Sequence, residues 1–411
     1  MKNEIRDIII IGAGPSGSVA AGYLEKQDVS ILVLEKQKFP RFTIGESLIP
    51  KCMDNFKEAG FLDTLKSQGF QKKFGARFIR NNEVAEFDFS KKFGEGWDWT
   101  WQVPRADFDQ VLTDDLTSRG VDIRFETEVT SVSYSNGLWN INTVDIKGAE
   151  TEISCKFIID SSGNGRVLAK QLDLEAPPKI YDHSSIFTHI KESSRPEGIE
   201  GNQITFEVLN TETWFWYIPF SNGDSSLGFV GPNSWFEQFA GDKTEAFKNM
   251  LKETDYYKGR FDDYSFKFQP VKFTNISKNV KYLHGNAFAL TGNSAEFLDP
   301  VFSSGVAFAT ESGLLAAKLA LREINGENVD WENEYSKYIK KGVEVFSTYV
   351  KEWYTGKLQD IFFHSHPSLQ IKMQICAVLA GYVWDTKNPF VRNHARILDN
   401  VHKLIQDEKI V

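Results

Sequence analysis

"RDIIIIGAGPSGSVAAGYLEKQDVSILVLEK", residues 6–36, decides the architecture of this chain. An apolar run, a glycine turn, an amphipathic segment and a second apolar run follow in the order strand, helix, parallel strand. Gly12, Gly14 and Gly17 form GxGxxG between the first strand and the helix, where bare backbone lets a pyrophosphate reach the helix N-terminus. Glu35 closes the second strand at the spacing of a carboxylate that accepts hydrogen bonds from ribose hydroxyls. A lone GxGxxG is a weak signal, but this one carries its complete strand, turn, helix, strand and acid context.

The rest of the 411 residues is long enough for two intertwined domains and an appendage. A formal net charge of −9, with no cluster of Lys and Arg, argues against a nucleic-acid partner. Cys52, Cys155 and Cys376 lie far apart, so neither a disulfide framework nor a zinc site is expected and the compartment is read as reducing. The apolar N-terminus has its glycines spaced as a turn rather than as a signal peptide, and no run is long enough to span a bilayer. A cytoplasmic location is the expectation.

Further along, "PRADFDQVLTDDLTSRG" predicts a helix from Pro104 to Gly120, and Asn136-Gly137 a hairpin turn. "CKFIIDSSG" is another buried strand ending in small residues, so the nucleotide-binding sheet returns after an excursion. Residues 180–280 alternate strand-like segments, among them "NQITFEVL", "TWFWYIPF" and "SSLGFVG", and the chain beyond about 330 is helical. The expected fold class is α/β, with a discontinuous nucleotide domain (1–75, 104–170 and 280–328), an antiparallel substrate sheet (76–103 and 171–279) and a helical C-terminal region (329–411). Within the sheet, Trp214 and Trp216 share one strand face while Phe215 and Tyr217 take the other.

"WQVPRADFDQVL", "FIIDSSGNGR" and "LTGNSAEFLDPVFSSGVAFA" together resemble glutathione-reductase-type flavoproteins of the aromatic-hydroxylase branch. The resemblance implies FAD as cofactor. It puts Lys36, Arg41, Ser47, Arg105, Asp160, Gly163, Asn293, Pro300 and Gly305 on the cofactor side, with Val129 offering backbone to the adenine. Where that branch usually carries Gly-Asp, this chain has Gly292-Asn293, which keeps a donor and an acceptor but loses the fixed charge.

Three further stretches, "FPRFTIGESLIP" (39–50), "GFQKKFGARF" (69–78) and "WFWYIP" (214–219), resemble the flavin-dependent halogenases. WxWxIP falls on Trp214, Trp216, Ile218 and Pro219, and an FxxPxxSxG pattern on Phe297, Pro300, Ser303 and Gly305. In that family reduced flavin and oxygen oxidise a halide, a tryptophan wall keeps the substrate away, and a lysine beside the substrate receives the hypohalous acid. The resemblance implies catalytic roles for Lys73, Trp214, Trp216 and Ser303, with Lys72 as the one-residue slip, and backbone N–H groups at Ser304-Gly305 as a chloride or bromide site. It further implies a separate flavin reductase, because no second GxGxxG is present. Phe302 stands where tryptophan-type members place a glutamate, so a phenol, a pyrrole or a carrier-bound aromatic acyl group is the expected substrate.

Other readings stay open. A dehydrogenase, reductase or hydroxylase on the same scaffold would turn over without halide, and a flavin-binding assembly factor would not turn over at all. Core packing rivals a wall for the tryptophans, and a solvated surface charge rivals catalysis for Lys72 and Lys73. Trp97, Trp99 and Trp101 are expected to share a strand face near the substrate, Glu46 to be a proton donor or a structural acid, and His364 and His366 to cap a helix rather than bind metal.

Overall fold

The four isoleucines Ile8 to Ile11 are almost wholly buried, as a central parallel strand covered on both faces requires. The computed structural model describes residues 4–178, 182–366 and 368–408. In it the strand Glu4–Ile11 lies between Ile31–Leu34 and Glu150–Asp160, both parallel to it. The sheet continues outward through Phe288–Leu290 and His284–Gly285 on one side and Ile123–Arg124 on the other, and a hairpin of Thr127–Ser135 and Leu138–Asp145 joins the long strand antiparallel, for eight strands.

Register decides where the chemistry can sit. Ile11 pairs with both Leu34 and Asp160, and Asp160 pairs with Leu290, so these parallel strands end level. The loops beginning at Gly12, Glu35, Ser161 and Thr291 therefore meet at one edge, the carboxyl-end crevice where open α/β sheets take ligands.

The second sheet has seven strands in the order Val271–Phe273, His183–Lys191, Asp224–Pro232, Trp214–Pro219, Thr205–Val208, Gly75–Arg80 and Glu83–Asp88. All its pairings are antiparallel except that of Thr205–Val208 with Gly75–Arg80. The period-two rule holds for the "WFWY" strand. Phe215 and Tyr217 pack with Phe229, Tyr257 and Phe261 in a separate apolar cluster, while Trp214 and Trp216 join the main core on the other face. The predicted helix after Pro104 runs Arg105–Ser118, with Gly120 at φ +89°, and Asn136-Gly137 turns the predicted hairpin with both residues at positive φ.

The tail packs Lys337–Tyr354, Lys357–Phe362, Leu369–Leu379 and His394–Glu408 back onto both sheets. Trp353 and Phe362 close ring contacts with Phe78 on the second sheet and with Phe302 beside the crevice. Among the described residues no helix is long and apolar enough to cross a membrane.

Candidate functional site

Gly17 shows why the first loop needs bare backbone. A Cβ there would meet the Gly12 carbonyl oxygen at 1.9 Å, so the turn closes only around glycine. Gly14 differs: a Cβ would meet nothing closer than Arg41 Nη2 at 3.5 Å, which leaves its backbone open to the crevice. Pro15 then begins the helix Pro15–Leu24, whose N-terminus faces the same space.

The crevice is a cleft of about 690 Å³. Of the expected cofactor residues, Gly12, Gly14, Glu35, Arg41, Ser47, Arg105, Gly163, Asn293, Pro300 and Gly305 line it, as do Trp214, Trp216 and Ser303. Glu35, which lines the cleft, accepts from the N–H groups of Ala13 and Gln37, and a carboxylate retains further lone pairs for ribose hydroxyls. Arg41 and Arg105 both bind the fully buried Asp109, at 3.0 and 2.8 Å, so one carboxylate orients two guanidinium groups and leaves one positive charge uncompensated. That surplus and the open Gly14 backbone fit the pyrophosphate of a dinucleotide.

Several expected residues lie elsewhere. Lys36 is exposed and paired with Glu128 at 2.6 Å, because the position after Glu35 turns away from the sheet edge. Asp160 is fully buried behind the cleft, where it accepts from the N–H groups of Ser162 and Leu168 and so shapes the loop that carries Gly163. Val129 sits at a register slip in its hairpin, two residues past Thr127, whose N–H donates to the Glu35 carbonyl, and it does not reach the cleft lining. Trp97, Trp99 and Trp101 do not form a common strand face: only Thr100–Gln102 is strand, and the rings stack edge-on in a ladder away from the cleft, with Lys72 Nζ 5.0 Å from the Trp99 ring. His364 pairs with Glu408, and among the described residues no group of three potential metal ligands occurs.

Lys73 is the outlier of the site. It is 1% exposed, and its Nζ donates to Ser47 Oγ and to the Leu48 carbonyl, each at 2.8 Å. Ser47 lines the cleft and Lys73 does not, so the amine stands one hydrogen bond behind the wall. Burial, with no carboxylate to offset it, brings its pKa down from 10.5 to about 7. Lys72, one residue away, points outward over Trp99, which separates the two lysines that sequence left in contention.

The tryptophans are held by their indole nitrogens. Trp216 Nε1 donates to Ser226 Oγ at 3.1 Å and Trp214 Nε1 to Tyr354 Oη at 3.0 Å. The Trp216 ring lies over Gly228, its partner across the sheet, where a Cβ would meet the indole at 2.3 Å. Gly228→Ala is accordingly expected to displace Trp216, lower stability by about 1–3 kcal/mol and weaken FAD binding about tenfold; melts of the apoprotein and its titration with FAD check it.

Two parts of the lining had no sequence motif. Phe206 and the segment from Lys272 to Ile276 line the cleft, the latter continuing the edge strand Val271–Phe273. Glu46 also lines it, fully buried with its carboxylate 2.8 Å from His189 Nε2.

A glycine loop at level parallel strand ends, a carboxylate closing the second strand and a paired-arginine cradle fit the cofactor of a dinucleotide-binding flavoprotein. The chain belongs to the FAD binding domain family, whose model matches residues 6–328. It is an FAD-dependent, halogenase-like oxidoreductase. It is 26% identical to a 1H-pyrrole-2-carbonyl-[peptidyl-carrier protein] chlorinase of Pseudomonas fluorescens, over 98% of this chain and 94% of that protein. It is 28% identical to the corresponding brominase of Pseudoalteromonas luteoviolacea, over 81% of this chain and 80% of that one. Among solved structures, a flavoprotein/dehydrogenase from Cytophaga hutchinsonii superposes with a TM-score of 0.97 at 45% identity, covering 99% of this chain and all of that one.

Proposed function

We propose that this protein halogenates an electron-rich aromatic ring, a phenol or a pyrrole carried as an acyl group on a carrier protein, with its FAD reduced by a separate reductase. The observation that carries the reading is Lys73, a buried amine near neutrality held one hydrogen bond outside a tryptophan-lined cofactor cleft. Bound FAD, once reduced, supplies oxygen activation that converts a halide to hypohalous acid. The chain's own residues govern access to the flavin and delivery of the halogen.

Trp214 and Trp216 wall the cleft, limiting what reaches the flavin to small species. The backbone from Ser303 to Gly305 opens the 20-residue helix Gly305–Ile324, and a helix N-terminus favours a halide there. Lys73 Nζ acts through Ser47 Oγ, which accepts from it and whose own hydroxyl donates to the hypohalous oxygen in the cleft; the ring carbon takes the halogen, and the hydroxide leaves as water with the ring proton. The carrier-bound substrate class is supported by what the Pseudomonas and Pseudoalteromonas relatives act on, and by Phe302, an apolar side chain directly before Ser303.

A second reading has its own support. Lys73 is closed off from the cleft, and the Cytophaga relative is described as a flavoprotein/dehydrogenase, which favours a dehydrogenase on the same scaffold. One experiment separates them. With a flavin reductase, NADH, FAD, oxygen and bromide, a pyrrolyl- or hydroxyphenyl-acyl carrier is expected to gain one bromine in place of hydrogen by mass spectrometry. Anaerobic bleaching of the flavin by a substrate, without any halide requirement, would establish the dehydrogenase instead.

A further inference from the structure

Tyr354, the last residue of the helix Lys337–Tyr354, lies 140 residues from Trp214 in sequence yet touches the cleft wall through it. Its hydroxyl accepts from Trp214 Nε1 and donates to Asp299 Oδ2 at 2.9 Å. Asp299 Oδ1 in turn accepts from the Val301 N–H at 2.9 Å, capping the short helical turn Pro300–Phe302. That turn delivers Ser303, which holds the left-handed conformation at φ +57° without being glycine.

Every link is spoken for. The phenol accepts once and donates once, and the two Asp299 oxygens take different donors. The Asp299 carboxylate is 1% exposed with no cation among its hydrogen-bond partners, and burial raises its pKa to about 6. The imidazole of His183 stacks on the Tyr354 ring at 4.3 Å, its buried ring nitrogens without hydrogen-bond partners among the described residues, so it backs the phenol by packing. Trp214, Pro300, Ser303 and Gly305 all line the cofactor cleft, whereas Tyr354 and Asp299 do not.

We propose that Tyr354 and Asp299 are positioning residues: a hydrogen-bond strut by which the C-terminal region fixes both the Trp214 indole and the Asp299–Gly305 loop against the bound flavin. The strut makes the tail part of the cofactor site rather than a cover over it. It depends only on FAD occupying the cleft, so it stands whether the substrate is halogenated or dehydrogenated.

The test uses the full-length protein reconstituted with FAD. Tyr354→Phe keeps the ring and its stacking on His183 but removes both hydrogen bonds. It is expected to raise the Kd for FAD about 5- to 20-fold and to change the circular dichroism of the bound flavin in the visible band, at temperatures well below unfolding. Asp299→Ala is expected to do the same or more, while Asp299→Asn, whose one carbonyl oxygen serves the Val301 N–H and whose amide N–H₂ meets the phenol where an acceptor is needed, keeps the turn and is expected to resemble Tyr354→Phe. Lowered thermal stability in Tyr354→Phe with unchanged FAD affinity and unchanged flavin dichroism would overturn the proposal, because a merely structural bond moves the first and not the other two. Should Asp299→Ala fail to fold, the Tyr354→Phe and Asp299→Asn pair decides alone.

Discussion

Lys73→Met is expected to lose halogenated product by about 10²–10⁴-fold while binding FAD as tightly as the wild type and consuming oxygen at an unchanged rate. The side chain lies outside the cleft, which is why the flavin half of the reaction is spared. Methionine fills nearly the same volume and Ser47 keeps its place in the cleft lining, while the buried Leu48 carbonyl loses the Lys73 donor, a cost of about 1–3 kcal/mol that is smaller than that of the buried ammonium. The same variant should be the more stable protein at neutral pH. In the wild type the folded amine titrates near 7 and the unfolded one at its ordinary 10.5, so below pH 7 the folded chain bears the whole cost of a buried ammonium. Between 7 and 10.5 the unfolded state holds the proton that the folded state lacks, and wild-type stability climbs toward that of the variant by about 1.4 kcal/mol per pH unit. Denaturant melts of both proteins at several pH values measure the convergence; parallel curves would mean that the amine keeps its ordinary pKa. Lys72→Met should alter neither quantity, since that lysine rests on the outer face of Trp99.

Gly17→Ala should be nearly as damaging to cofactor binding, by a different route. Its Cβ would stand 1.9 Å from the Gly12 carbonyl oxygen, a backbone atom that cannot swing aside, so the loop must open. We expect FAD affinity to fall by at least about 100-fold and the apoprotein to lose stability as well. Gly14→Ala supplies the contrast. Its Cβ has room, the residue has an extended backbone, and only the approach of the cofactor is obstructed. Apoprotein stability should then stay within error of the wild type while FAD binding weakens; calorimetric melts with and without FAD distinguish the two glycines, and equal behaviour would deny Gly14 its role as the open point of approach.

The N-terminal unit was legible in sequence because its physics is local. The isoleucine run, the glycine spacing and the acid at Glu35 lie close together in the chain, and the structure assembles them as the pattern demands. The split of Trp214 and Trp216 from Phe215 and Tyr217 was equally legible, since a strand has only two faces. Lys73 needed the fold: nothing local distinguishes it from Lys72, and only the pairing of Gln71–Lys73 with Thr100–Gln102 turns one inward and the other out. Long-range partners stayed hidden for the same reason. Tyr354 ends an ordinary amphipathic helix, and its meeting with Trp214 and Asp299 is a fact of tertiary geometry. Trp97 and Trp99 misled because spacing by two predicts a shared face only where the backbone is extended, and theirs is not strand.

The level strand ends impose a schedule on the protein's birth. Asp160 pairs with Leu290, and the far wall of the cleft needs Thr291 through Gly305. A ribosome adding 5–20 residues per second takes roughly 15–60 s to travel from Ile11 to that point. Through all of that time the nascent chain displays a glycine loop with no opposite wall, and an isoleucine strand whose sheet is unfinished. Ile8–Ile11 has both its neighbours once Asp160 is made, so the edge left open until Phe288–Leu290 emerges is Ile158–Asp160, and the flavin site closes only after that.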